Sequence, residues 1–533
     1  MHRFLVGSLG GLALALGTLA ARTPEEFPGL GEKWRHYRSP HFEVYSANDD
    51  FSSRKVLEHL ELMRALLLEN LQLKEKKPQP VTIFYFGSDR DFKGYLPAES
   101  RKDDSLICYW SNQPDRTVIL MAPIGDDDMA RTVAFSQFIE YLFRITDQNA
   151  ARWYRTGVEQ VYSGAHEEPG SVVVGLPSAA WVEELRYSKM FPLDQFFGTS
   201  DDSQTLQDQE KLKTFCAQSW AFIHYCRFGK DTLPKEKLEK FMRVAGDEKA
   251  QGNPALVRNA CRDILGLDYP ELLKQLQRYV ASGDYRTVRV ARPKIDEART
   301  YSRQEPSAEE MTDRLAELTL RLDRDPRGKV ALLRAIDRKI VDPRLEEVLG
   351  NDALMDGDTV AVREHWGRAV AQGTDNPAIY WQLAEIESKR WFSNFDFYFR
   401  LPDETAAGLR DLLHRSIKFA PEQAGAYEML AWVESAARKI DVGNVNLVQE
   451  HFAQITNKAR TLLALALVRL RLNDPAGTRR MLDSVGKVPR DFSTDAAATV
   501  VKGKLDAYEA EHPAAPDKTA GQPADEPPAT EQK

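Results

Sequence analysis

The chain has 533 residues, 42% of them hydrophobic and 29% charged, which is the make-up of a folded protein with room for about three domains. The net charge of −8 offers no basic face of the kind that nucleic-acid binders carry. The four cysteines, Cys108, Cys216, Cys226 and Cys261, include no C-x-x-C pair and read as buried free thiols.

Residues 1–21 (MHRFLVGSLGGLALALGTLAA) place one Arg before an apolar run that closes on small residues. This is the pattern of a secretory signal peptide cut near Ala20 or Ala21. The expected location is periplasmic or secreted, with an anchored form if the segment is retained. No later segment approaches the length of a membrane span.

From residue 34 to 125 strands and helices alternate. His41–Ser46 alternates as a strand, and Phe51–Leu73 places Leu57, Leu60, Met63, Leu67 and Leu71 on one helical face. Val81–Phe86 is rich in β-branched and aromatic residues, and Ser105–Trp110 and Thr117–Met121 read as further strands. Asp126–Asp128 then supplies carboxylates suited to a helix start.

Residues 131–163 (RTVAFSQFIEYLFRITDQNAARWYRTGVEQVYS) form the centre of the pattern. Val133, Phe135, Phe138, Ile139, Leu142 and Phe143 make one apolar helical face. A polar break follows, and a second helix starts near Arg152. Further on, Phe215–Phe228 (FCAQSWAFIHYCRF) reads as a wholly buried aromatic helix.

The framing text TVA…YL and RWYRTGVEQVYS, with Ala217-Gln218-Ser219-Trp220, resembles the gluzincin-like, or peptidase MA-like, metalloproteases. In those families a His-Glu helix precedes a W-x-x-E-G helix, and an A-Q-S-W helix packs behind the site. The resemblance covers residues 34–285 and implies an α+β zincin-like fold whose sheet edge can hold an extended peptide. Carried over residue by residue, the ligand His positions fall on Phe135 and Ile139, the catalytic Glu on Ser136 and the third ligand Glu on Thr156. Phe135 and Ile139 stand at i and i+4 on one face, where two imidazoles would have to sit. None of the four can do the chemistry, so no metal, cofactor or catalytic residue is expected. A plain core helix that never bound metal remains the competing reading. Glu140 and Glu159 read as a solvated face, His166 as surface, and His224 as a satisfied core histidine.

Residues 286–310 read as a charged linker with Pro293 and Pro306. Residues 311–510 read as a helical-repeat domain. Tyr380, Leu383 and Ala384 align with Tyr427, Leu430 and Ala431, and Trp391–Pro402 is an aromatic insertion between the two copies. The turn-then-helix segment Asp356–Val370 has a tetratricopeptide look, as does the turn Leu472–Pro475. Such stacks present surfaces to proteins or peptides. Residues 511–533, rich in Pro, Ala and charge, read as a disordered tail.

The functional expectation is a non-catalytic envelope protein that binds peptide or protein partners, with no nucleic acid and no membrane span after signal removal. The alternatives are an active hydrolase with a non-zinc site built on Ser136, or a purely structural repeat scaffold.

Overall fold

The structure, a computed structural model, describes residues 27–512 apart from 77, 105, 126–137, 147–149, 230–232, 248–249, 251–252, 295–301, 393–399 and 490–491. The signal-like segment, Asp126–Asp128, Phe135, Ser136, most of the aromatic insertion and nearly all of the tail therefore lie outside the described residues.

The front of the molecule is a mixed α/β region, and the rest is helical. Strands β1 (Arg35–Arg38), β2 (Phe42–Ser46), β3 (Val81–Tyr85), β4 (Cys108–Asn112), β5 (Thr117–Met121) and β9 (Ser302–Gln304) build one sheet in the order β4-β5-β3-β2-β1-β9. β2, β3 and β5 run parallel, with Val44 opposite Ile83 and Ile83 opposite Ile119. β4 is antiparallel to β5, and β1 is antiparallel to both β2 and β9. Strands β6 (His166–Glu168), β7 (Ser171–Val174) and β8 (Val288–Ala291) form a smaller antiparallel sheet. The segment read as a linker over 286–310 thus supplies a strand to each sheet. Its charges disguised it: β8 and β9 are exposed edge strands, which tolerate polar side chains that a central strand would not.

Alternation along the large sheet gives it two different faces. Tyr37, Val44, Ile83, Ile119 and Met121 face helix α1 (Asp50–Asn70) and a helix whose described part is 138–145, α3. Asp49 caps α1 by accepting from Ser52 N. Tyr45, Phe84, Val118 and Leu120 face the other way, with the short helix α2 (Asp89–Tyr95) at their margin.

Helices α4 (Arg152–Tyr162), α5 (Ala179–Tyr187), α6 (Leu193–Gly198), α7 (Gln209–Phe228), α8 (Lys235–Ala245), α9 (Pro254–Ala260, continued by a π turn Cys261–Leu265) and α10 (Tyr269–Ser282) pack as one body around α7. α7 is buried along most of its length, as its aromatic composition predicts.

The remaining helices are α11 (Ala308–Asp323), α12 (Pro326–Asp337), α13 (Pro343–Met355), α14 (Thr359–Ala371), α15 (Pro377–Phe392), α16 (Asp403–Phe419), α17 (Ala424–Ala436), α18 (Val442–Glu450), α19 (Lys458–Arg471), α20 (Pro475–Val485) and α21 (Phe492–Glu511). They pack as consecutive hairpins, and α15 also meets α17, α17 meets α19 and α19 meets α21. A Leu-small pair recurs in the first helix of each hairpin: Leu315-Ala316, Leu349-Gly350, Leu383-Ala384, Leu430-Ala431 and Leu465-Ala466. The intervals are 34 (349 − 315), 34 (383 − 349), 47 (430 − 383) and 35 (465 − 430) residues. The small member permits close approach: a Cβ on Gly350 would lie 2.3 Å from the Trp366 ring of α14, and one on Gly328 would lie 2.5 Å from Ala316 O. The long interval contains the aromatic insertion. Its far end returns to the stack, where Leu401 N donates to Ala436 O at 3.0 Å.

The stack is docked on the sheet through charge. Arg344 of α13 donates to Glu43 of β2 and, through Nε, to Glu317 of α11 at 2.6 Å. Arg321 of α11 grips Asp115 with two bonds of 2.7 and 2.9 Å and Glu317 with one of 2.8 Å. Arg116 donates to Thr82 at 2.8 Å and to Glu347 at 3.1 Å. His36 and Thr82 bond Glu43 from the sheet side. Asn376, at the start of α15, bonds both Glu347 and Asp115 O at 3.1 Å, and Ala424 N of α17 donates to Lys76 O at 3.0 Å. All of the charged groups in this seam are buried. Burial alone would raise the Glu43 and Glu317 pKa values. The guanidiniums, Arg344 foremost, outweigh it and hold both carboxyls well below the usual range.

Candidate functional site

Of the four positions singled out, Ile139 and Thr156 are described. Ile139 lies in α3 and Thr156 in α4, at 1% and 2% exposure. Ile139 belongs to the same apolar cluster as Trp153, Val158 and Val161 of α4 and the inner side chains of α1 and α7. Beside it, Phe138 meets Phe42 edge to face at 5.4 Å and Trp110 at 6.1 Å between ring centres. Thr156 Oγ1 is buried and bonds no described group, and Ser219 Oγ of α7 is in the same position.

Thr156 owes its depth to its neighbour. At Gly157 a Cβ would fall 2.4 Å from Ile223 Cγ1 and 2.5 Å from Ser219 O, so α4 touches the backbone of α7 there. Only glycine allows that approach. Trp153 anchors the start of α4 among Phe196, Phe197 and Phe222 and donates to Ala245 O at 3.2 Å.

The carboxylates nearest these positions are engaged on the outer side of α4. Glu140 pairs with Arg155, which also bonds Asp201 at 2.7 Å. Glu159 accepts from Gln160 Nε2 at 3.1 Å, while Gln160 Oε1 accepts from Trp181 Nε1 at 3.0 Å. Among the described residues no group of three His, Cys, Asp or Glu is arranged to hold a metal ion.

The histidines are spread apart. His166 is exposed on β6, and His41 pairs with Glu61 at 2.7 Å. His224 is fully buried. Its Nε2 donates to Gly175 O at 2.8 Å and its Nδ1 accepts from Tyr279 OH at 2.5 Å, the tautomer that uses both nitrogens. Burial pushes its pKa below 6.5, so the ring is neutral. In the A-Q-S-W segment, Gln218 clamps the backbone of Phe191 with bonds of 2.7 and 3.1 Å. The four cysteines are free, and burial raises the Cys108 and Cys216 thiols to about 12 and Cys261 to about 11, which leaves them unreactive at neutral pH.

β4 stands at one end of the large sheet, beside α3 through Trp110. Gln113 N donates to Arg116 O and Ala122 N to Ile107 O, which puts the odd-numbered residues of β4 in the ladder with β5. The N–H groups of Cys108, Trp110 and Asn112 point away from β5, and no described strand pairs with them. Compared with known proteins, the chain matches no family model and no curated sequence. Among the described residues no helix is long and apolar enough to cross a membrane.

Proposed function

We propose that the chain is a non-catalytic protein of the bacterial envelope, in which a peptidase MA-like module without zinc ligands is joined to tetratricopeptide-like repeats and binds a peptide or protein partner. The observation that carries this reading is the burial of both Ile139 in α3 and Thr156 in α4, with α3 beside a sheet edge that has outward N–H groups. Of the positions that would hold a metal in a protease, the two described ones are buried, and the strand beside α3 offers a free ladder edge. An extended segment would pair along Cys108–Asn112 without being cut. The 34-residue Leu-small period supports the repeat half of the reading.

The ancestry is tested by the combined change Phe135→His, Ser136→Glu, Ile139→His and Thr156→Glu. Stoichiometric zinc uptake by the quadruple variant, measured by metal analysis, is the expected result; a folded variant that takes up none removes the protease reading. The binding role is tested by incubating the full chain with casein. Association without hydrolysis is expected, weakened by Asn112→Pro, which deletes one outward N–H. Hydrolysis abolished by Ser136→Ala would instead establish the alternative hydrolase.

A further inference from the structure

A second site lies where α1, α4 and α7 end. There the described residues line a partly open pocket of about 220 Å³. It has room for about seven waters at ~30 Å³ each, the bulk of a small aromatic or branched acid. Val174 of β7 and Val288 and Val290 of β8 give it an apolar wall, with Tyr162 beside them. Thr156 is six residues back along α4, about 9 Å at 1.5 Å per residue, so this is not the region considered above.

Arg227 lines this cavity. Arg227 is half-buried, and it differs from the fully buried arginines among the described residues. Arg116, Arg314, Arg321 and Arg344 each contact at least one carboxylate. Arg227 contacts none among the described residues. Tyr154 bonds its guanidinium, and its Nε is buried and donates to nothing. A cation taken out of water without a counter-ion is costly, and the missing partner here is an anion. The lining carries two further charges, Lys235 and Glu239, so its net charge is that of Arg227. Lys235 pairs with Glu239, itself on the lining, at a solvent-exposed 3.7 Å. It begins the eleven-residue helix α8, whose preceding Pro234 has no side chain to cap the first N–H groups.

We propose that this cavity binds a small organic carboxylate, its charge held by Arg227 and Lys235 and its apolar body packed on Val174, Val288 and Val290. The carboxylate is that of a free acid or of the last residue of a peptide with an apolar side chain. The site is independent of the function proposed above.

Calorimetric titration of the full chain with phenylacetate and with N-acetylvaline separates the two sources, with phenylacetamide and inorganic phosphate as controls. One-to-one saturable binding of at least one acid is expected, with neither control binding. The tighter acid identifies the source. Arg227→Met weakens that acid by about tenfold or more, since it removes a charge-assisted bond at the half-buried end of the site. Lys235→Met, at the surface, weakens it by about threefold; it decides the matter if Arg227→Met does not fold. The proposal is overturned if neither acid saturates at millimolar concentration. It is also overturned if amide or phosphate binds as well as the acids, or if the folded variants bind as the parent does.

Discussion

The two faces of the large sheet are covered by opposite means. Towards α1 and α3 the contact is aliphatic and aromatic, and α4 joins it by bringing Gly157 against the backbone of α7. Towards α11 and α13 the contact is aromatic in one half and ionic in the other, with Glu43, Thr82 and Arg116 of the sheet set against Glu317, Arg321, Arg344 and Glu347. Apolar packing is forgiving of which similar side chain fills a space, whereas a closed ionic lattice fixes register, because each carboxylate must meet its own guanidinium. The first contact holds a domain together. The second fixes how the helical stack sits on it.

The contrast can be broken first at its charged side. Arg344→Met leaves Glu43 and Glu317 buried beside an apolar side chain, and the expected loss is about 3–5 kcal/mol in chemical denaturation. A loss below about 1 kcal/mol, the value of an exposed pair, would mean that water enters the seam. On the apolar side, Gly157→Ala forces α4 away from Ser219 and Ile223, with an expected loss of about 1–3 kcal/mol and a lower melting temperature.

The smallest effect is read in pH, and it separates the ionic seam from the body around α7 by window. Glu43 and Glu317 titrate well below 4.5 when folded. The unfolded chain binds those protons first, so the seam's contribution is complete above that value and drains away as pH falls through the folded values. His224 is held below 6.5 by burial. The unfolded chain therefore gains its proton first from about pH 6.5 downward, and stability declines earlier on that account. Urea midpoints against pH should show a first decline starting near 6.5 that His224→Gln removes, and a steeper one below 4.5 that it leaves in place.

The apolar half was legible because its signals are local. The β-branched and aromatic run Val81–Tyr85, the face of α1 and the aromatic run of α7 each state their own burial. The ionic half was not. Arg314, Glu317 and Arg321 recur at helical spacing, which reads as a solvated stripe, yet the three are nearly inaccessible. Arg314 meets Asp342 and Glu317 meets Arg344 of the next hairpin, and only the fold pairs Arg321 with Asp115, 206 residues away. The short strand β1 and helix α2 also escaped the sequence reading, being too brief for a period to register. The 34-residue interval was missed because the insertion before α16 stretched the one repeat pair that was compared. Leu315-Ala316 and Leu349-Gly350 carry the undisturbed spacing. Arg227 gave a faint signal, a cation closing an otherwise aromatic helix, which is also how a helix dipole is commonly neutralised.

The pairing of β9 with β1 has a consequence for biosynthesis. His36 finds its ladder partner in Gln304, and Glu43 its counter-ion in Arg344. A ribosome delivering this polypeptide has therefore released the first strands long before their lattice can close. The front layer waits, incomplete, for the first helices of the stack to appear, and any truncation that ends between the two halves leaves a bare strand edge and stranded carboxylates for a chaperone or protease to find.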